Sequence, residues 1–259
     1  MSRRSSKTAG LMHRFFVAPE SILANRVVLP SAVARQVSRV LRLRPGDQIM
    51  VLDNEGWEYS VTLKDVSHSA ATGTVTSKAQ GSGEPKSRIT LYQGVLKAGK
   101  FELVLQKCTE LGVAAFVPVL CARSIPRTRT DGPGEKRADR WRKIVSEAAE
   151  QSGRARIPTI GDHLDFRDAC NGVQGPAVIP WEGEDRHGLR QALADLKGSP
   201  TPLLSIFIGP EGGFTTEETD LARALAIEPV TLGSRILRAE TAAVAAVSAV
   251  LYELGDLGG

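Results

Sequence analysis

The segment LLSIFIGPEGGFTTEE, residues 203–218, runs from a branched apolar stretch through a glycine-rich loop into a helix start. Thr215 followed by Glu218 has the spacing of a capping box, so the helix is predicted to begin there. The loop glycines let backbone groups approach a ligand closely. The loop lacks the lysine of a phosphate-binding P-loop, and Glu211 would repel a phosphate. The segment predicts either a tight strand-to-helix turn or a loop for a ligand without phosphates.

A second segment, LGSRILRAETA at residues 232–242, has the same order of features. A short strand leads to a glycine, then to irregular residues with two arginines, and then to an Ala-rich helix headed by Glu240 and Thr241. Ligands of open α/β sheets bind where loops leave the carboxyl ends of the strands. Two such loops at successive strand ends therefore favour a ligand site over a plain turn.

The pattern along the chain changes at KAQGSGEPKS, residues 78–87, which has the composition of a linker. Before it, short β-rich segments alternate with turns and predict a small antiparallel barrel or sandwich, interrupted by one helix with an apolar stripe of Val33, Val37, Val40 and Leu41. After it, strands alternate with helices, including RHGLRQALADLK, and predict a parallel sheet covered on both faces. The predicted division is a disordered segment 1–12, a β domain 13–80, a linker 81–87 and an α/β domain 88–259.

Composition excludes several classes of protein. An apolar fraction of 42% is ordinary for a soluble globular chain, and no apolar run approaches a membrane span or a secretory signal, so we expect a cytoplasmic protein. The three cysteines are widely spaced and are expected to be buried thiols. The four histidines never stand at ligand spacing with a cysteine or with one another, so no metal site is expected.

Basic charge is concentrated at the amino-terminal side. Residues 1–88 contain 13 Lys and Arg against 7 Asp and Glu, whereas the remainder contains 20 against 22. This asymmetry indicates either a polyanionic partner such as a nucleic acid or a solvated basic surface.

Five segments give the chain a resemblance to a known family. They are HRFFV (13–17), KCTELGV (107–113), RWRKIVSEAAEQSGR (140–154), IGPEGGF (208–214) and LGSRILRAETA (232–242). In this order, from His13 to the end, the chain resembles the bacterial 16S ribosomal RNA uracil-N3 methyltransferases of the SPOUT superfamily. Residues 98 and 99 are Ala-Gly where relatives often carry Gly and an acidic residue, and Cys108 replaces a common alanine. These departures put substrate contacts near Lys97 and Lys100 in question.

The resemblance implies a PUA-like RNA-binding β-barrel followed by a SPOUT domain whose parallel sheet carries a trefoil knot. It also implies a homodimer that binds S-adenosylmethionine and methylates N3 of a uridine in 16S rRNA of the small ribosomal subunit. Two alternatives stay open: a SPOUT enzyme that acts on a different rRNA or tRNA nucleotide, and a noncatalytic RNA-binding protein of ribosome assembly. A nucleotide-binding dehydrogenase is disfavoured because the glycine fingerprint is missing.

Loop pattern and resemblance together predict the cofactor-binding residues. These are Ile179, Glu182, Ile208, Gly209, Pro210, Glu211, Gly212, Gly213, Leu232, Gly233, Ile236, Leu237, Arg238, Glu240, Thr241 and Ala242. Arg238 is the first catalytic candidate, since a cation near the uracil oxygens favours loss of the N3 proton; its alternative is a structural bond to Glu240 or a carbonyl. Glu211 is a candidate base, with a hydrogen-bonding role inside the loop as its alternative.

RNA contacts are predicted at arginines, which bind phosphates or simply face solvent. The candidates are Arg14, Arg35, Arg39, Arg42, Arg123, Arg127, Arg129, Arg140 and Arg154.

Overall fold

Two sheets organise the residues that this computed structural model describes, which are 12–97, 99–124 and 135–258. The described chain divides into two units. The first contains residues 12–84 together with Glu150–Arg156, and the second contains the remaining described residues. Residues 1–11, which are nearly all of the segment predicted to be disordered, lie outside the described residues. So do Arg127 and Arg129, two of the predicted RNA contacts.

The first unit is built on a six-stranded sheet of order β1-β4-β5-β6-β3-β2. Its strands are β1 (Arg14–Phe16), β2 (Ile22–Leu23), β3 (Arg26–Leu29), β4 (Gln48–Leu52), β5 (Trp57–Val66) and β6 (Ala71–Gln80). All neighbours are antiparallel except β1 and β4, which are parallel. The predicted β-rich character of this part of the chain is thus observed, with one parallel pair that the sequence pattern did not indicate.

The predicted helix of the first unit is shorter and less regular than its sequence suggested. Helix α1 (Ser31–Arg35) continues into a π-helical turn at Gln36–Val40. Val37 is fully buried, but Val40 is 73% exposed. A π-helical turn contains more residues than an α-helical one, so it rotates Val40 out of the apolar stripe that a regular helix would have produced.

The second unit is built on a seven-stranded sheet in which every observed pair is parallel. The main order is β10-β8-β7-β12-β11-β13, and β9 pairs with β8. The strands are β7 (Arg88–Gly94), β8 (Ala115–Leu120), β9 (Thr159–Ile160), β10 (Leu164–Asp165), β11 (Ala177–Pro180), β12 (Leu203–Ile208) and β13 (Ile227–Val230). The predicted parallel sheet is confirmed.

Six helices are described in the second part of the chain. They are α2 (Lys100–Leu111), α3 (Glu135–Ser152), α4 (Phe166–Asn171), α5 (Leu189–Ala192), α6 (Thr216–Ala224) and α7 (Ala239–Leu254). Within the described ranges, no helix combines the length and the hydropathy needed to cross a membrane. The single helix predicted for RHGLRQALADLK is divided in two: α5 ends at Ala192, and a 3-10 turn at Ala194–Leu196 follows after Leu193.

Two apolar cores cover the two faces of the parallel sheet. Along β12, Leu204, Ile206 and Ile208 belong to one core, which includes residues of α2 and α7. Phe207 points the other way and belongs to a second core with residues of α4 and α6. Successive side chains of a strand face opposite sides of the sheet. A continuous apolar run therefore contributes to both cores when both faces of the sheet are covered. All three cysteines are buried and unpaired, as predicted.

Candidate cofactor site

The candidate site lies where β11, β12 and β13 end. These strands are parallel neighbours, so their carboxyl ends open onto the same edge of the sheet. The loops that follow them line a cavity of about 480 Å³. All three segments of the lining belong to the second unit.

Most predicted cofactor residues line this cavity. Those that do are Glu182, Ile208, Gly209, Pro210, Glu211, Gly213, Leu232, Gly233, Ile236, Leu237 and Ala242. Five do not reach the lining, namely Ile179, Gly212, Arg238, Glu240 and Thr241. Ile179 is the clearest case, because it is fully buried in the second core. Its strand reaches the site, but its side chain faces away from it.

The lining also contains residues that the sequence analysis did not select. They are Pro180, Trp181, Glu184, Asp185, Phe214, Thr231, Ser234, Arg235 and Ala239. Several of these flank selected positions within the same loops. The acidic run that includes Glu184 and Asp185 follows β11 directly and was a usable signal, because carboxylates at a strand end are typical of a site for a cation or a hydroxyl group.

The loop after β12 is held from two sides. A Cβ added at Gly94 would lie 2.6 Å from the backbone nitrogen of Pro210, so the end of β7 touches the loop backbone directly. Arg123 donates hydrogen bonds from Nη1 to the carbonyl oxygens of Gly212 (2.8 Å) and Phe214 (3.3 Å). These contacts fix the shape of the loop. They also make Arg123 a structural residue of the site and disfavour its predicted contact with RNA.

The predicted capping box is present at the start of α6. The Thr215 hydroxyl accepts a hydrogen bond from the Glu218 N–H, and the Glu218 carboxylate accepts one from the Thr215 N–H. The other Glu218 oxygen accepts a 2.7 Å hydrogen bond from the Ala122 N–H. One carboxylate thus satisfies backbone donors of both the helix start and the chain that follows β8.

The loop after β13 makes a turn that depends on glycine. Gly233 has a φ of +106°, a conformation that L-residues rarely adopt. Its N–H donates to the Thr231 hydroxyl at 3.1 Å, while the Thr231 N–H donates to the His187 carbonyl at 2.9 Å. Ile236 is 87% exposed at the cavity. The loop therefore presents an apolar side chain and backbone groups to a ligand.

Negative charge predominates in the cavity lining. Among the described residues, the lining contains four carboxylates, Glu182, Glu184, Asp185 and Glu211, and one cation, Arg235. Hydrogen bonds from the N–H groups of His187 and Arg186 lower the pKa of Glu184. Burial raises the pKa of Glu211, but hydrogen bonds from its own N–H and that of Lys97, together with the charge of Lys100, outweigh burial and leave the pKa below its ordinary value. The cavity suits a cationic ligand and disfavours phosphates.

The two predicted catalytic residues differ in what their surroundings allow. A depressed pKa makes Glu211 a weak base, which disfavours the role of proton acceptor. Arg238 is exposed and occupies the N-cap position of α7, between the lining residues Leu237 and Ala239. Within the described ranges its guanidinium makes no hydrogen bond or ion pair, and Glu240, its predicted structural partner, faces Lys100 instead.

The predicted RNA contacts separate into held and exposed arginines. Arg14 binds Glu58 at 2.5 Å, and Arg154, with a side chain only 3% exposed, binds Glu84 at 2.8 Å. Both guanidinium groups are already paired within the protein, which disfavours the predicted contacts of Arg14 and Arg154 with phosphate. Arg140 is 66% exposed but pairs with Glu102 at 2.6 Å. Arg35, Arg39 and Arg42 are exposed on or just after α1 and its π-helical turn.

Among the described residues, no group of three or more His, Cys, Asp or Glu side chains could hold a metal ion. A glycine-rich, acidic cavity at the carboxyl edge of a parallel sheet defines the second unit as a ligand-binding α/β domain.

Comparison with known proteins identifies the family. Residues 83–251 match the RNA methyltransferase domain family, and residues 39–76 match the RNA methyltransferase PUA domain. The chain therefore belongs to the RNA methyltransferase family, with a PUA domain that precedes the RNA methyltransferase domain. This confirms the resemblance that the five segments indicated.

Named relatives and solved structures agree with that membership. The chain is 36% identical over 251 residues to the Ribosomal RNA small subunit methyltransferase E of Synechocystis, covering 96% of this chain and 80% of the relative. It is 34% identical over 224 residues to the protein of the same name from Bacillus subtilis, covering 84% and 86%. The crystal structure of the Neisseria gonorrhoeae protein of that name, bound to S-adenosyl methionine, superposes with a TM-score of 0.82 at 31% identity, covering 93% of this chain and 97% of that chain.

Proposed function

We propose that this chain is an S-adenosylmethionine-dependent methyltransferase that methylates N3 of a uridine in 16S rRNA of the small ribosomal subunit. The observation that carries the proposal is the acidic cavity of about 480 Å³ formed by three strand-end loops. Family membership supports the reaction class. The names of the relatives support the RNA, and the bound ligand of the Neisseria gonorrhoeae structure supports the cofactor.

The lining fits S-adenosylmethionine in three respects. Glu182 and Asp185 offer negative charge to a cationic ligand, and the described part of the lining holds no lysine of the kind that phosphates require. Phe214, Leu232 and Ile236 offer apolar surface to an adenine ring. Gly209 and Gly233 leave their backbone groups unobstructed by a side chain. The cofactor supplies a methyl group bound to a cationic sulfur.

The chain's own contribution is to orient the acceptor and to favour loss of its proton. The N3 nitrogen of uracil is a poor nucleophile while it is protonated. A guanidinium beside the uracil carbonyl oxygens stabilises the anion and lowers the pKa of N3. Arg238 fits this role, because it stands exposed at the start of α7 beside the cavity loop. Glu211 does not fit the role of base, because its pKa is depressed.

The PUA-like domain is proposed to bind RNA through Arg35, Arg39 and Arg42, which are exposed together near α1. Contacts of this kind with phosphates weaken steeply as salt increases. We further propose, on the family resemblance, that the first sheet closes as a barrel, that the second domain carries the trefoil knot, and that two copies form the working enzyme. Its place of action would be the cytoplasm, where small ribosomal subunits reside.

The test is methyl transfer from labelled S-adenosylmethionine into small ribosomal subunits that lack the modification, with free 16S rRNA and tRNA assayed in parallel. Nucleoside mass spectrometry should find 3-methyluridine in small-subunit RNA only. Arg238→Ala should bind the cofactor normally but lose at least ~100-fold in kcat, as loss of an electrostatic stabiliser of the transition state does. Arg142→Ala, on the exposed surface of α3, is the matched control and should retain full activity.

Other outcomes lead to different conclusions. A methylated product in tRNA, or at another atom or nucleotide of rRNA, would replace the proposed acceptor and keep the reaction class. An intact protein that binds no S-adenosylmethionine would contradict the enzyme and favour a noncatalytic role in ribosome assembly. Lost cofactor binding in Arg238→Ala would assign that arginine a structural role.

A further inference from the structure

Lys100, at the first position of α2, connects the loop after β12 to the start of α7. Its Nζ lies 3.5 Å from Oε1 of Glu211 and 3.7 Å from Oε2 of Glu240. Glu211 belongs to the loop after β12, and Glu240 belongs to the first turn of α7, directly after the loop that follows β13. One ammonium group thus lies between carboxylates from both sides of the candidate site.

Glu240 depends on this ammonium group. Its side chain is only 14% exposed, and its Oε2 atom is buried with no hydrogen-bond donor among the residues described. A carboxylate removed from water is costly unless a counter-charge compensates for it. Lys100 is the cation that the structure places beside that oxygen, so it stabilises the start of α7 in its observed position.

Glu211 is held by the same short segment. The Lys97 N–H donates a 3.1 Å hydrogen bond to Oε1 of Glu211, the oxygen that also faces Lys100. Lys97, just before α2, and Lys100, its first residue, therefore both bind Glu211 of the loop after β12. A carboxylate that accepts these contacts is best held while it is ionised, in agreement with its lowered pKa.

Lys100 itself starts from a fixed backbone. Gly99 has a φ of +82° and accepts a 3.0 Å hydrogen bond from the Leu103 N–H, while the Lys100 N–H donates to the Lys97 carbonyl at 3.2 Å. The next residue, Phe101, is 1% exposed and stacks on Trp141 with ring centroids 4.4 Å apart. The ammonium group is thus presented from a helix end that is anchored in the core.

We propose that Lys100 is a positioning residue, which holds the loop after β12 and the start of α7 in the arrangement that binds the cofactor. The proposal rests on the proposed function, since it assigns S-adenosylmethionine to the cavity. From the sequence, Lys100 was a possible substrate contact. The proposal gives it a different role, in which it does not touch RNA. Loss of the ammonium group should weaken cofactor binding in the absence of RNA.

The experiment compares Lys100→Met, Lys100→Arg and Lys107→Met with the wild-type chain. Calorimetric titration with S-adenosylmethionine alone should show a roughly tenfold higher Kd for Lys100→Met, within the usual range of coupling between sites, whereas Lys100→Arg should stay within about threefold of wild type. Lys107 lies on the same helix and pairs with Glu110 at 2.9 Å, away from the cavity residues, so its substitution should leave Kd unchanged. In turnover assays, KM for the cofactor should rise in Lys100→Met and KM for RNA should not.

A second variant covers the case in which Lys100→Met fails to fold. In Lys100→Met with Glu240→Gln, the buried carboxylate that would be left uncompensated is neutralised. The loop after β12 still loses its cation, so the Kd for S-adenosylmethionine should remain raised. Unchanged cofactor affinity in a folded variant, or a rise confined to KM for RNA, would overturn the proposal. Failure of the proposed function would instead be seen in the wild-type chain, as absence of cofactor binding.

Discussion

At the scale of single residues, the four carboxylates of the cavity differ in how they are paired. Glu211 accepts from the Lys97 N–H, and Glu184 accepts from two N–H groups and faces Arg223 at 3.7 Å. Asp185 lies 3.9 Å from Arg186. Glu182 makes no hydrogen bond or ion pair within the described ranges, and an added Cβ at Gly213 would lie 3.4 Å from its Oε1. It is the carboxylate left available for a ligand.

Glu182→Gln should therefore weaken binding of S-adenosylmethionine more than binding of S-adenosylhomocysteine. The two ligands differ by the positive charge on sulfur, and a nearby carboxylate attracts only the charged one. We expect Kd for S-adenosylmethionine to rise about fivefold, an effect that salt would partly screen. Calorimetry with both ligands measures the difference. Glu147→Gln, on the exposed face of α3, is the control, and an equal loss for both ligands would contradict a role in recognising the sulfonium.

Sequence alone could select backbone-dependent residues but not side-chain partners. Gly209, Gly213 and Gly233 were predicted because glycine lets backbone groups approach a ligand closely. Ile179 lies buried in the second core and not at the cavity, because adjacent residues of a strand face opposite ways and the sequence did not say which face held the site. The ion pairs of Lys100 were not predicted because its partners, Glu211 and Glu240, lie more than a hundred positions away in the chain.

At the scale of elements, the close approach of β7 to the loop after β12 is the contact that shapes the site. Gly94 ends β7, and an added Cβ there would also lie 2.8 Å from the carbonyl carbon of Gly209. Gln93, fully buried beside it, donates from Nε2 to the Gly94 carbonyl at 3.0 Å and the Gly209 carbonyl at 3.4 Å. A side chain at position 94 would have to displace the loop after β12, because it would meet two backbone atoms and the Pro210 ring, none of which can rotate away.

Gly94→Ala should lower the free energy of unfolding by about 1 to 3 kcal/mol, the usual cost of overpacking, and should also weaken cofactor binding. Gly161→Ala is the matched control, since its added Cβ would meet atoms no closer than 3.6 Å. The control should change stability by no more than about 0.5 kcal/mol. Urea unfolding and calorimetry of both variants give the two readouts. A Gly94→Ala protein with wild-type stability and affinity would show that the loop can shift freely.

Long elements were predictable because their pattern repeats, whereas short ones were not. The apolar runs of β7, β8, β11 and β12 alternate with amphipathic helices, and that alternation predicts a parallel sheet. Strands β9 and β10 have two residues each, and α4 has six, which is too short for any periodicity to appear.

At the scale of the whole molecule, the first unit is discontinuous in sequence. Glu84 accepts hydrogen bonds from the N–H groups of Ala155 and Arg156, each at 3.0 Å, and binds Arg154. The Phe16 N–H donates to the Glu150 carboxylate at 3.1 Å. An added Cβ at Gly83 would lie 2.2 Å from the carbonyl oxygen of Gly153. Nothing in the sequence indicated that Glu150–Arg156 should be added to the predicted domain 13–80. The end of α3 continues a helical pattern, and the contacts of Glu84 with Ala155 and Arg156 join residues 71 and 72 positions apart.

A fragment of residues 1–84 should therefore be less stable than the same unit in the intact chain. It would lack the donors that satisfy Glu84 and the backbone that packs on Gly83, and each lost hydrogen bond costs about 1 kcal/mol. Trp57 is the only tryptophan before residue 85, so its fluorescence during urea unfolding reports on this unit alone in the fragment. A second fragment, in which a flexible linker joins residues 148–157 to residue 84, should recover a higher urea midpoint. If both fragments unfold at the same midpoint, the return segment contributes nothing to the stability of the unit, and the first unit is complete without it.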